Sequence, residues 1–105
     1  MRDRVVNLSG PQAKRFCIAL WNELTIAGRC IWSDDKLDLE TQLNALKWLN
    51  EIQHRVWGAH ARDDQDALSW LLDRIISHCD REPAQRSHVR VALDRSIASV
   101  SAVDR

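Results

Sequence analysis

Several placements in this chain bring together side chains able to do chemistry. Glu51 and His54 stand in an E-x-x-H spacing, with which a helical bundle can present a carboxylate and an imidazole to one metal ion from successive turns. A two-metal centre of that kind needs a second copy of the spacing and two further glutamates facing inward. The chain has one copy, and Glu51 and His54 fall on the polar side of their helix, so only a dimer pairing that side would complete a site. Asp63, Asp64 and Asp66 suggest a hard-cation loop, but the glycine at the bend and the distal glutamate of a calcium loop are missing, and helix capping accounts for these residues. His78 and Cys79 are neighbours in sequence yet diverge by about 100° on a helix, which makes them poor joint ligands. With three glycines in the whole chain there is no glycine-rich phosphate loop, and no Ser-His-Asp order stands out. We therefore expect no cofactor and no metal.

Arg55 and His60 enclose four residues, Val56-Trp57-Gly58-Ala59, giving an R-x4-H spacing. Over these six residues the chain resembles HEPN-type ribonucleases, which are likewise small four-helix domains. The resemblance implies that Arg and His converge, usually across a dimer, on a scissile phosphate and the attacking 2′-hydroxyl. On an unbroken helix Arg55 and His60 lie about 140° apart, so convergence requires Gly58 to relax the helix. The family usually has a polar residue after its arginine, where this chain has Val56. Arg81, Arg86, His88, Arg90 and Arg95 make the C-terminal third mildly basic, as a DNA-recognition helix would be, but they spread around the helix. Fifteen basic residues balance fifteen acidic ones, so no global field draws the chain to nucleic acid or to an acidic membrane. A nucleic-acid function, as a HEPN-like RNase or a DNA-binding regulator, is the alternative reading.

The elements that must position these residues are helices. The segment Leu39–His60 is the longest with unbroken helical character, and we expect a central helix over about 38–60. Leu39, Leu43, Ala45, Leu46, Trp48, Leu49, Ile52, Val56 and Trp57 spread over an arc of roughly 220°, wider than the stripe of an ordinary surface helix. So wide an arc calls for cover from more than one side. Lys47, Glu51 and Arg55 fill the remaining face at i,i+4 spacing.

Before it, Ser9 reads as an N-cap with Pro11 in the first turn, and the first helix runs from about Pro11 to Ala27 on a stripe of Ala13, Phe16, Cys17, Leu20, Leu24 and Ala27. Trp21 sits at the stripe's edge; Ile18 and Ile26 fall outside it and hint at a second contact surface. Gly28 is placed to end this helix as a left-handed cap. Residues 29–35 then form a connection in which Ile31 and Trp32 tuck against the bundle end, and Ser33, Asp35 and Asp38 are candidate N-caps.

A third helix, about Gln65 to Cys79, is capped by Asp63 or Asp64 and buries Leu68, Leu71, Leu72, Ile75, Ile76 and Cys79. Trp70 lies on its opposite, charged side. A fourth, about Pro83 to Val100, is defined by Val89, Ala92, Leu93, Ile97, Val100 and Val103. Residues 1–8 read as an N-terminal arm and 101–105 as a fraying end. The whole is a single all-α domain, an antiparallel four-helix bundle or an irregular variant of one.

Five tryptophans accompany one phenylalanine and no tyrosine, an unusual balance, because tryptophan is favoured at the centres of protein interfaces. Three cysteines without a C-x-x-C pair read as reduced structural thiols, Cys17 and Cys79 on apolar faces and Cys30 in a loop. No run of about 18 apolar residues is present to span a membrane, and the start lacks the apolar core of a signal peptide, so a cytoplasmic protein is expected. The reading that joins these observations is non-enzymatic: a protein acting by protein–protein association, as a homodimeric adaptor or regulatory module with or without another protein partner. Trp70, Trp48 and Trp57 are its expected anchors, and Trp32 and Trp21 secondary ones.

Overall fold

The structure is a computed structural model that describes residues 10–62, 64–81 and 83–103. The described residues form four helices: α1 (Gly10–Trp32), α2 (Leu39–Arg62), α3 (Gln65–Arg81) and α4 (Pro83–Val103). Each packs on the next and α4 returns to pack on α1, with the most extensive seams at α1–α4 and α1–α2. Consecutive helices run antiparallel, as short connections require, in a bundle about 40 Å long and 20–26 Å across. The proposed Ser9 cap, the arm at 1–8 and the end of the tail lie outside the described residues.

The core follows the expected stripes. Phe16, Leu20 and Leu24 of α1, Leu49, Ile52 and Val56 of α2, Leu71, Leu72 and Ile75 of α3, and Val89 and Leu93 of α4 are all buried. Cys17 and Cys79 are buried among them and Cys30 is exposed.

Two boundaries differ from the sequence reading: α4 continues past Val100 to Val103, into the end expected to fray, and α1 runs past Gly28. Gly28 does not end α1; it continues to Trp32, and Gly28 has no left-handed backbone. The energetic balance explains this. A glycine inside a helix costs about 1 kcal/mol, whereas full burial of an isoleucine is worth roughly 1.5–3 kcal/mol, and Ile31 is completely buried. It extends the inner stripe Cys17, Leu20, Leu24, Ala27 by one more turn. Ile31 thus packs as expected, but from within the helix, and Trp32 does not tuck in: it is exposed. Cys30 likewise belongs to the last turn of α1 and not to a loop. The C-terminal carbonyls of α1 find a donor in Gln42, whose Nε2 lies 3.1 Å from Ile31 O, 3.1 Å from Trp32 O and 3.2 Å from Asp34 O.

Of the candidate caps, Asp38 starts α2, its Oδ1 accepting the Thr41 N–H at 2.7 Å. The Thr41 hydroxyl, then its N–H, hold the Asp38 carboxyl below the usual range. Asp64 starts α3 in the same way, accepting the Ala67 N–H at 3.0 Å, while its own N–H closes the end of α2 on the Ala59 carbonyl at 3.0 Å, a 6→1 bond of the kind that terminates helices.

Candidate functional site

The tryptophans are not interior groups. Trp32 is 55% exposed, Trp57 54%, Trp70 47% and Trp21 37%. Trp48 alone packs partly into the core, stacked on the buried His78 with ring centres 3.6 Å apart.

Three of the exposed four gather on one face. Antiparallel packing of α1 on α2 sets Trp21 beside Trp57, ring centres 6.3 Å apart and tilted by 57°, and His60 stacks on Trp57 at 5.2 Å. Together with Ile18, Asn22 and His54 these indoles bound an open hollow of about 610 Å³. A second hollow of about 380 Å³ continues along the same seam, walled by Leu24, Gly28, Arg29, Trp32 and Leu46. Asn50 and Gln53 line both. They form a low divider, held because Gln53 Nε2 donates to the Trp21 carbonyl at 2.9 Å and to Thr25 Oγ1 at 2.6 Å. The result is one trough, running from Ile18 to Trp32 over roughly 21 Å at the helical rise of 1.5 Å per residue.

The spacing of its walls explains why it is continuous. On α1 the outer row is Ile18, Trp21, Thr25, Gly28 and Trp32, and on α2 it is Leu39, Leu43, Leu46, Asn50, Gln53 and Trp57. Both alternate steps of three and four residues, the pattern that keeps a row aligned with a neighbouring helix. Each row lies one position from the inner stripe that builds the core, so α1 and α2 carry two adjacent seams. This accounts for the wide arc of the central helix: Ala45, Leu49, Ile52, Val56 and Ala59 are buried, while Leu39, Leu43 and Trp57 at its edge are exposed. Thr25, Asn50 and Gln53 were not singled out from sequence, because a polar residue in a three-four row carries no hydrophobic signal of its own.

The other candidate residues go elsewhere. Trp70 stands on α3 with the Arg55 and Arg74 guanidinium groups 5.2 and 5.4 Å from its ring centre, away from the trough. Arg55 also pairs with Glu51 at 3.6 Å. Glu51 and His54 are therefore engaged on different sides, His54 lining the trough. Gly58 does not relax α2, which runs unbroken to Arg62, so Arg55 turns to Trp70 and His60 to Trp57. On α4, Arg90 lies 3.4 Å from Asp94 and Arg95 reaches Glu23 of α1 at 4.0 Å.

One polar contact spans the bundle end. His88 Nε2 lies 2.9 Å from Asp34 Oδ2, and the Lys36 N–H donates to Asp34 Oδ1 at 3.0 Å. The bond from His88, then that from Lys36, hold the Asp34 carboxyl below its ordinary range.

In comparison with known proteins, no family model, no curated protein and no solved structure matches this chain. The class defined by fold is a small all-α four-helix domain, and its most developed surface feature is the tryptophan-walled trough.

Proposed function

We propose that this protein works by association, as a small adaptor or regulatory module that docks a protein partner on the α1–α2 face. The observation that supports this reading is the gathering of Trp21, Trp32 and Trp57 around one open apolar trough. Leaving three half-exposed indoles in water forgoes several kcal/mol of burial, a cost recovered when a partner covers them. Interfaces place tryptophan in that central role, ringed by less demanding polar contacts. Trp70 and Trp48 stand apart from this surface, Trp70 under two guanidinium groups and Trp48 in the α2–α3 seam.

No helix among the described residues is long and apolar enough to cross a membrane. We place the association in the cytoplasm, in keeping with three unbridged cysteines.

A photoreactive residue at Asn22, inside the trough, compared with one at Arg90 on α4, tests the reading in living cells. A defined protein adduct is expected from position 22 and not from 90, and Trp21→Ser with Trp57→Ser should abolish it. Equal labelling from both positions, or adducts indifferent to the tryptophan changes, would overturn the reading.

A further inference from the structure

We infer that the occupant of the trough is a second copy of this chain, laid across it antiparallel, so that each copy's Trp32 enters the large hollow of the other and each Trp57 enters the smaller one. This deepens the association reading and rests on it.

Size is the first argument. A bundle 40 Å long and 20–26 Å across has sides large enough, on the order of 800 Å², to supply what a stable dimer takes from each partner. The outer row of α2 from exposed Leu39 to exposed Trp57 runs along roughly 27 Å of that length. A short peptide would leave much of it, including exposed Leu39 and Leu43, uncovered.

Self-complementarity is the second. In a two-fold contact, residues at the axis meet their own copies. A charged group there would face itself, whereas an amide both donates and accepts. At the divider in the middle of this trough Asn50 is the exposed amide that can do both, the two Nε2 hydrogens of Gln53 being given to Trp21 O and Thr25 Oγ1. Among the described residues no carboxylate lines either hollow.

The third argument fixes the orientation. A two-fold axis lying in the contact plane can run along the helices or across them. Along them, like ends meet, and Arg29 is set near its own copy while the Trp21–Trp57 ends crowd four indoles together. Across them at the divider, unlike ends meet. Arg29 then faces the neighbourhood of the partner copy's Trp21 ring, a favourable partner for a guanidinium. The protruding Trp32 meets the hollow of about 610 Å³, and Trp57 meets that of about 380 Å³. Each has room for an indole. Two α1 helices and two α2 helices then form one intermolecular layer with the three-four rows facing one another.

The test combines sedimentation with cross-linking in a Cys30→Ser background, Cys17 and Cys79 being buried. A dimer is expected at tens of micromolar. Trp57→Ala and Trp32→Ala should each weaken it by roughly 30-fold or more, since each change removes a central anchor twice over. Asn50→Arg, on an exposed position that leaves the core untouched, should dissociate it by setting like charges at the axis, with helical content unchanged. Asn50→Cys should cross-link to itself through a short bis-maleimide, while Leu43→Cys, about 28 Å from its copy in this arrangement, should not.

A monomer at tens of micromolar overturns the second-copy proposal, and so does a dimer indifferent to the tryptophan and Asn50→Arg variants. If the chain is monomeric but position 22 still yields a specific adduct with a different protein, the association reading stands and only this inference falls. Self-linking of Leu43→Cys as readily as Asn50→Cys overturns the crosswise orientation.

Discussion

Gln53 of α2 donates through Nε2 to Thr25 Oγ1 of α1 at 2.6 Å, and the Thr25 hydroxyl donates in turn to the Trp21 carbonyl at 3.1 Å, which also accepts from Gln53 at 2.9 Å. This three-membered link is a polar tie between the two helices that wall the trough, and it sets how far apart Trp21 and Trp57 stand. The tie is half-exposed, so its net worth is that of ordinary hydrogen bonds and not of a buried network.

Gln53→Ala should lower stability by about 1 kcal/mol, measured by urea denaturation. Thr25→Val removes the shared Gln53–Thr25 bond from the other side, together with the bond from Thr25 to the Trp21 carbonyl. The double variant should therefore lose less than the sum of the two, by about 0.5 kcal/mol or more. Strict additivity would mean that the link contributes nothing as a unit.

Gly28→Ala should stabilise the subunit. The added Cβ would lie 3.5 Å from Leu46 Cδ2 and 3.8 Å from Leu49 Cδ1, ordinary contact distances. Because the residue is inside α1, the change also gains about 0.5–1 kcal/mol in helix propensity and lost unfolded-state freedom. A rise in melting temperature of several degrees is expected. A fall would show that the seam between α1 and α2 has no room for a methyl group.

This glycine also shows how far the sequence was legible. The stripes of all four helices, the caps at Asp38 and Asp64 and the ring of antiparallel helices follow from local chemistry alone, because apolar periodicity and side-chain oxygens act within a few residues. Gly28 was misleading because two local signals competed there, a glycine that can stop a helix and an apolar stripe that continues to Ile31. Only the tertiary burial of Ile31 decides between them. The gathering of Trp21 with Trp57 depends on which helices are neighbours and at what register, and so does the fate of the two edges of the wide arc, where Trp48 meets α3 and Trp57 meets α1. Periodicity within one helix contains neither fact. The row Ile18, Trp21, Thr25, Gly28, Trp32 was visible as spacing, but polar and small residues within it hid its continuity.

Asp34 should titrate below the ordinary carboxylate range, and His88→Ala should move it back up, since His88 supplies the largest cause of the lowering and the Lys36 N–H the next. A carboxyl lowered in the folded state stabilises it above the ordinary value near pH 4, and the contribution disappears as pH falls through the lowered folded value. Both side chains are 22% exposed, so salt should weaken the effect. The carboxyl carbon of Asp34, followed by NMR in the two proteins, checks this. The same titration midpoint in both would remove His88 as the cause.

Replacement of Asp64 by alanine should cost about 1 kcal/mol, the usual value of an N-cap, since its Oδ1 satisfies the Ala67 N–H at the start of α3. Asn at this position keeps an acceptor oxygen and should restore most of the loss. Thermal denaturation of the two variants separates the hydrogen bond from the charge: equal losses in both would assign the effect to the charge near the helix start.

Trp70→Ala provides the sharpest contrast with the trough. Its ring is half-exposed, lies under Arg55 and Arg74 and stands outside both hollows of the α1–α2 face. Loss of exposed cation–π contacts costs about 0.5–1 kcal/mol apiece, so folding should weaken modestly while association is unaffected. Trp57→Ala should instead weaken association, because its indole is similarly exposed and yet walls the trough. If self-association, measured by sedimentation, were instead lost on removing Trp70 and kept on removing Trp57, the docking face would be α2–α3, and the grouping of Trp21 with Trp57 would be incidental to what the protein does.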